Sequence, residues 1–188
     1  MKVTRLVTLS IALAFASTTA DARPRPKSFG AGSKKFEANK TFGLGLELGY
    51  PDGLTGKYFV NESNALQFGL GYAYRHYYYD HGLHLYLDYL WHPFVLASAE
   101  PFELPFYIGV GGRFWDYDYG CDRNGNNCIY GGSAVGVRVP VGIAFDFNNI
   151  PLDVFIQVAP TLDFFFRDYR DRIYLSFWGS VGVRFWFN

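Results

Sequence analysis

The stretch of sequence that decides the fold is residues 173–187, which read IYLSFWGSVGVRFWF. From residue 175 to the end, every second position is apolar or glycine, and the positions between carry serine, tryptophan, glycine and arginine. A period of two is typical of a β-strand whose two faces meet different surroundings. Transmembrane strands combine an apolar face, a small or polar face and aromatic residues near the ends, so this stretch predicts one.

The same alternation recurs along the chain and predicts eight strands. Seven cover residues 42–50, 54–60, 65–75, 105–115, 133–147, 152–163 and 173–187. Another begins at residue 83 and should bulge or stop at Pro93, which cannot donate to a ladder. Residues 97–104 are predicted to connect this strand to the next. The predicted fold is all-β, an eight-stranded antiparallel transmembrane up-and-down β-barrel, since an even number of strands is usual for such barrels.

Charge is confined to the second face of these strands. Its acids are Glu47, Asp88, Asp146, Asp153 and Asp163, and its bases are Lys57, Arg75, Arg113, Arg138 and Arg184. Buried charges are tolerated when they are paired, so this set predicts an ion-paired lumen. A soluble lipocalin-like barrel would instead have an apolar interior. Because eight strands enclose a space that side chains fill, a narrow channel is only the second alternative for the function.

The chain divides into three segments. Residues 1–22 are predicted to be a secretory signal peptide, with Lys2 and Arg5 before a largely apolar stretch of eleven residues at 6–16 and a small-x-small site at 20–22. Eleven residues are too few for a membrane-spanning helix, which needs about 20. Residues 23–41 are basic and contain two prolines, which predicts a flexible periplasmic tail, and residues 42–188 form the barrel.

Composition agrees with this division. The 188 residues carry 17 basic and 17 acidic side chains, so the formal charge is zero and no nucleic-acid partner is expected. Aromatic residues make up 20% of the chain and 21 residues are glycine, which suits a β-barrel better than a helical enzyme.

Two resemblances follow from short motifs. Ser180, Gly182, Phe185 and Phe187 resemble the C-terminal targeting signal of bacterial outer-membrane barrels, which implies contact with the barrel-assembly machinery. Residues 53–58 (GLTGKY), 89–92 (YLWH), 137–142 (VRVPVG) and 151–155 (PLDVF) together resemble a family of uncharacterised small outer-membrane barrels. Its architecture is similar to OmpX and the membrane domain of OmpA. The resemblance spans residues 42–187 and implies fold and location but no catalytic residues.

Cys121 and Cys128 lie in the longest predicted loop. An exported protein meets an oxidising compartment, so an intraloop disulfide is predicted, with free thiols or a metal site as the alternatives. Closing so short a loop stabilises it by roughly 2–3 kcal/mol on the chain-entropy model. The oxygen-rich residues around the cysteines lack the glutamate and glycine of a calcium loop, and no metal or cofactor is expected.

Any function beyond that of the barrel itself is predicted to reside in the loops. The favoured hypothesis is a non-enzymatic structural or adhesion role, with loops that contact lipopolysaccharide, a surface protein or a host partner. Arg167, Arg170 and Arg172 are expected to contact lipid phosphates, because guanidinium donors suit phosphate oxygens. The first alternative is an enzyme acting on lipid or peptide. His84 and Asp88 share a face but lie about 13 Å apart with no nucleophilic serine beside them, so no catalytic residue is proposed.

Two geometric expectations complete the sequence analysis. With eight strands both termini lie on the periplasmic side of the outer membrane, and the loops after the third, fifth and seventh strands are extracellular. If residues 51–53 form a three-residue turn, Tyr50 lies opposite Leu54 and Glu47 opposite Lys57. That register predicts a buried Glu47–Lys57 ion pair.

Overall fold

The computed structural model describes residues 34–75, 80–117, 120–121, 128–129, 132–166 and 173–187. Their ordered elements are eleven β-strands. These are β1 Phe42–Gly49, β2 Asp52–Phe59, β3 Asn64–Arg75, β4 Asp80–Ser98, β5 Phe102–Tyr117, β6 Gly120–Cys121, β7 Cys128–Ile129, β8 Gly132–Arg138, β9 Val141–Phe147, β10 Leu152–Phe166 and β11 Ile173–Phe187. In this described part of the chain, no helix is long and apolar enough to cross a bilayer.

Nine of the strands form one antiparallel sheet that closes into a ring. The order runs from β11 through β1, β2, β3, β4 and β5 to β8 and β9, then to β10, which pairs again with β11. β8 and β9 each pair with β5 on one side and with β10 on the other, so they are successive segments at one position. They are separated at Val139 and Pro140, where the proline has no N–H to donate. The single strand predicted for residues 133–147 is therefore interrupted.

The connection predicted at residues 97–104 is much shorter in the structure. β4 ends at Ser98 and β5 begins at Phe102. The ladder between these strands shifts register between Trp91 and Phe94 and again between Val95 and Ala97. This irregularity confirms the bulge predicted at Pro93. The ladder resumes after the first shift because the bulge removes Pro93 from a donor position.

The two faces of the sheet carry the residues that alternation predicts. On β11, the side chains of Leu175 and Phe177 are 65% and 74% exposed, whereas Arg184 is 0% exposed. Large apolar residues are exposed on the outer face of the other strands of the ring as well. An apolar surface of this extent is unusual for a monomeric soluble protein. Among the described residues, the 18 buried polar or charged residues outnumber the 12 buried hydrophobic ones, which does not fit the apolar interior of the soluble alternative.

The ring has two unlike ends. One end, here called the termini end, holds the start of β1, the end of β11 and the short connections 60–63, 99–101 and 148–151. The opposite end, here called the loop end, holds the connections 50–51, 76–79, 118–131 and 167–172. Apart from the first, the loop-end connections lie largely outside the described residues. The ring thus places the two longest connections, 118–131 and 167–172, at the loop end.

Residues 34–41, predicted to belong to a flexible tail, are packed across the termini end. Lys34 forms an isolated β-bridge with Val95, and Phe36 is buried against Phe59, with ring centroids 5.7 Å apart. Lys40 is buried and bonds to Asp146. For these residues the prediction is wrong, because an aromatic ring and an ion pair fix the segment. Residues 1–33, with the predicted signal peptide, lie outside the described residues.

The predicted register of the first hairpin is also wrong. Leu46, not Tyr50, lies opposite Leu54, and Glu47 lies opposite Gly53. Tyr50 and Pro51 alone connect the strands, after Gly49 with a φ of 123°, a conformation that glycine adopts without strain. The shift moves the partner of Glu47 by four residues, an even number. Both Glu47 and Lys57 therefore still face inward, but about 13 Å apart along the strand direction.

The pair β6 and β7 forms a separate two-stranded ladder in which Cys121 lies opposite Cys128. Opposed residues of an antiparallel pair have Cα atoms about 4.5–5.5 Å apart, within the range of about 4.4–6.8 Å that disulfides span.

The backbone register thus supports the prediction of an intraloop disulfide. In protein isolated from the oxidising compartment, we expect mass spectrometry to find the two cysteines linked. Reduction should leave the ring folded, because the ring is closed by its own ladders. Two thiols that an alkylating reagent modifies without prior reduction would contradict the prediction.

Candidate functional site

The interior of the ring is packed with large side chains that lie across glycines of neighbouring strands. A Cβ placed on Gly69 would lie 2.1 Å from the ring of Tyr86, and one on Gly142 would lie 2.5 Å from that of Tyr107. Gly182 has the same relation to Phe155. The inward glycines of the strand pattern therefore make room for bulky neighbours. These bulky side chains take up much of the interior, as expected for a small closed sheet.

Among the described residues, four ion pairs lie within the interior. They are Arg113–Asp163 on β5 and β10, Arg138–Asp88 on β8 and β4, Arg184–Asp153 on β11 and β10, and Lys40–Asp146 between the N-terminal segment and β9. The contact between Arg184 and Asp153 is bidentate, with Nε–Oδ1 and Nη2–Oδ2 distances of 3.0 and 3.1 Å. The third Arg184 nitrogen, Nη1, donates to Gln67 Oε1 at 2.9 Å. Paired and hydrogen-bonded charges of this kind offset much of their desolvation cost.

Glu47 and Lys57 have other partners than each other. Glu47 accepts hydrogen bonds from the Tyr86 hydroxyl, from Ser180 and from Gln157 Nε2, the last at 3.0 Å. Lys57 Nζ lies 2.8 Å from His92 Nε2 and 4.7 Å from the ring centre of Tyr107. Glu47 and Lys57 therefore do not form the predicted ion pair, and each belongs to a separate set of polar contacts. Both side chains are buried, as the alternation predicts, but their partners come from strands outside the first hairpin.

The structure brings most of the predicted interior charges together and adds others. Glu47, Lys57, Asp88, Arg113, Arg138, Asp146, Asp153, Asp163 and Arg184 are all buried. Only the backbone of Arg75 is described, and Arg167, Arg170 and Arg172 lie outside the described residues. The sequence analysis missed Lys40, and also Glu103, which is buried and lies 3.5 Å from Lys34 Nζ. Lys40 precedes the first alternating residue, so no periodicity could have identified it.

A second cluster lies at the loop end of the interior. Asp163 accepts hydrogen bonds from Arg113 Nε at 2.8 Å and from the Ser176 hydroxyl at 2.8 Å. Trp178 Nε1 donates to Ser176 Oγ at 2.6 Å, and the guanidinium of Arg113 lies 4.0 Å from the Trp178 ring centre. Serine and aspartate are thus in direct contact, without the intervening histidine that a serine nucleophile requires.

His84 lies beside this cluster, stacked on Trp178 with ring centroids 5.9 Å apart. It is fully buried, and neither ring nitrogen has a hydrogen-bond partner among the described residues. Because the ring touches no nucleophile in this part of the chain, its geometry gives no support to hydrolytic chemistry.

A half-open pocket of about 240 Å³, here called the loop-end pocket, lies at the loop end of the ring beside the cluster of Arg113, Asp163, Ser176 and Trp178. Trp115, Phe165, Ser176 and Trp178 line it from the interior side. Its remaining lining residues are Tyr50, Asp163, Tyr174, Leu175 and Phe177. The described residues contain no group of three or more His, Cys, Asp or Glu that could hold a metal ion. The pocket is therefore mostly aromatic, with a small polar floor.

Comparison with known proteins gives one family. The profile of DUF3996, described as a protein of unknown function, matches residues 33–185. The chain belongs to this family. No curated protein sequence matches it. The structure is similar to the N-terminal β-barrel domain of Pseudomonas aeruginosa OprF, at 16% sequence identity and a TM-score of 0.48, over 78% of this chain and 95% of that one.

The part of the chain that matches DUF3996 contains every interior group described above. It includes the N-terminal segment with Lys40, the four ion pairs and the loop-end pocket. The family description names no activity.

Proposed function

We propose that the chain is a non-enzymatic integral outer-membrane protein, an eight-stranded β-barrel with an ion-paired lumen, whose loops contact partners at the cell surface. The observation that carries the proposal is the reversal of the usual polarity, with apolar side chains outside the ring and charges inside. Lipid favours that arrangement, and closure of the ring pairs the strand edges that hydrocarbon could not solvate. Eight strands follow if β8 and β9 count as one interrupted strand.

The packed interior argues against transport as the main role. Fully buried residues include Trp186, Tyr107, Phe36 and two of the paired arginines, which extend from the termini end to the middle of the ring, and His84 nearer the loop end. Surface loops then remain as the part of the protein that meets a protein partner or lipopolysaccharide. Contact with the assembly machinery is proposed for the C-terminal motif, in which Phe185 and Phe187 face outward and Ser180 and Gly182 face inward.

An inserted epitope tests the orientation. If both termini are periplasmic, an epitope placed at Asn124, in the longest loop-end connection, will bind antibody on intact cells. The matched control is the same epitope at Asn149, in a termini-end connection, which should be labelled only after permeabilisation. If the Asn149 protein is labelled on intact cells and the Asn124 protein is not, the orientation is the reverse of the one proposed. Recovery of folded protein in the soluble fraction would overturn the membrane proposal.

A further inference from the structure

The β1–β2 hairpin is shorter at the loop end than the strands on either side of it. The ladder between β1 and β11 ends with Gly49 opposite Ser180, followed by a hydrogen bond from Tyr50 N to Gly179 O of 3.0 Å. The ladder between β10 and β11 continues to Ile173. On the other side, β2 begins opposite Tyr72, whereas β3 continues beside β4 to its last residue. Among the described residues, the wall is therefore lower here, and we call this gap the hairpin notch.

The loop-end pocket opens through the hairpin notch. Its lining includes Ser176 and Trp178, which face the interior, and also Leu175 and Phe177, which face outward on the same strand. Neighbouring residues of a strand point to opposite faces of a sheet. A single pocket can touch all four only by passing around the edge of β11. The pocket thus joins the outer surface of the ring to its interior.

The lining indicates which kind of molecule fits. Asp163, Ser176 and Trp178 already hydrogen bond among themselves and to Arg113, so the polar floor is largely satisfied. What remains on the walls is aromatic and aliphatic surface, which favours an apolar occupant over an ion or a sugar. The volume of about 240 Å³ is below the range of about 300–1,000 Å³ that holds a whole drug-sized ligand. The pocket is suited to one part of a longer molecule.

We propose that the loop-end pocket binds an acyl chain of a membrane lipid, which enters sideways through the hairpin notch. The inference rests on the proposed function, because the outer face of β11 meets lipid only if the ring spans the membrane. Leu175 and Phe177 form the outer wall and guide the chain around the strand edge. Trp115, Phe165 and Trp178 then cover the buried end. The chain is held by apolar contact, so the headgroup stays outside.

Tryptophan fluorescence offers a direct test. The chain has four tryptophans, of which Trp91 is exposed on the outer face and Trp186 lies buried at the termini end. In a Trp91→Phe variant, Trp115 and Trp178 line the pocket and report on it, while Trp186 contributes a constant signal from the termini end. Folded protein in detergent micelles would be titrated with a phosphatidylcholine whose chains carry bromine, a contact quencher. We expect quenching that saturates. Quenching by random collision in the micelle would instead rise linearly with the mole fraction of brominated lipid.

Three variants on β11 locate the site. Ser176→Phe fills the pocket and should abolish saturable quenching. Phe177→Ala removes only an exposed outer-wall ring and should weaken binding at least about fivefold without affecting folding. Val181→Ala is the matched control, since Val181 also faces outward but lies opposite Leu48 within the complete ladder. If Ser176→Phe does not fold, Phe177→Ala still decides the question.

The outcomes separate the pocket from the proposed function. Linear quenching, or equal binding by Phe177→Ala and the control, would overturn the pocket. Saturable quenching by brominated stearate but not by the phospholipid would also overturn it, since the occupant would be a free fatty acid. A shift of the unboiled protein band on gel electrophoresis reports the folded ring independently. If that shift is present while quenching is absent, only the pocket fails, and the barrel proposal stands.

Discussion

Replacing Arg184 by methionine will lower the free energy of unfolding by about 3–5 kcal/mol. The substitution leaves the Asp153 carboxylate buried without the bidentate partner at 3.0 and 3.1 Å, and it also removes the donor to Gln67. An unpaired buried charge costs more than the pair contributes, because desolvation is no longer offset. Urea unfolding in detergent micelles, followed by tryptophan fluorescence, measures the change. The loss will be smaller if water reaches Asp153.

The double variant distinguishes charge from packing. Asp153→Leu together with Arg184→Met should recover most of the loss, because neither charge is then buried. The control is Val183→Ala, which changes the adjacent outward residue and should cost less than about 1 kcal/mol. A double variant no more stable than Arg184→Met alone would show that the pair is not the origin of the effect.

A second large effect is expected at Gly45. A Cβ at this position would lie 1.8 Å from the carbonyl oxygen of Val183 and 2.6 Å from the Cα of Arg184, so β1 and β11 would have to separate. Backbone atoms cannot rotate out of the way as a side chain does. Gly45→Ala should therefore cost about 3 kcal/mol, at the upper end of overpacking penalties. The same unfolding measurement applies.

Gly112 offers the matched comparison. It is also a strand glycine of the ring, but a Cβ there would meet its nearest neighbour, the Gly136 carbonyl oxygen, at 3.8 Å. Gly112→Ala should change the free energy of unfolding by less than about 0.5 kcal/mol. Equal losses at the two positions would mean that the approach of β1 to β11 does not limit the substitution at Gly45.

The interior illustrates how far sequence reasoning can reach. Alternation assigned Glu47 and Lys57 correctly to the inner face, because the side-chain period of a strand is a local property. The same reasoning paired them wrongly, because the register depends on the position of the turn, which was centred on Asp52 whereas the two strands pair symmetrically about Tyr50. An even shift leaves both faces intact. The alternation of inward and outward residues is the same in both registers, so it cannot reveal such an error.

The N-terminal segment illustrates the opposite limit. Its basic, proline-containing composition predicted a flexible tail, yet Lys40 bonds to Asp146, 106 residues further along the chain. Nothing near Lys40 in the sequence indicates this partner. The contact exists because ring closure brings the end of β9 and the start of β1 to the same end of the interior, where a buried carboxylate attracts a cation.

By itself, the sequence determined the class of structure and, for the described strands, the face on which the charged and the large apolar side chains lie. Both depend on the two-residue period, which any isolated stretch already contains. Only the tertiary structure decided the partner of each charge, the course of residues 34–41 and the hairpin notch. These depend on ring closure and on the relative lengths of neighbouring strands, which arise from contacts between residues far apart in the chain.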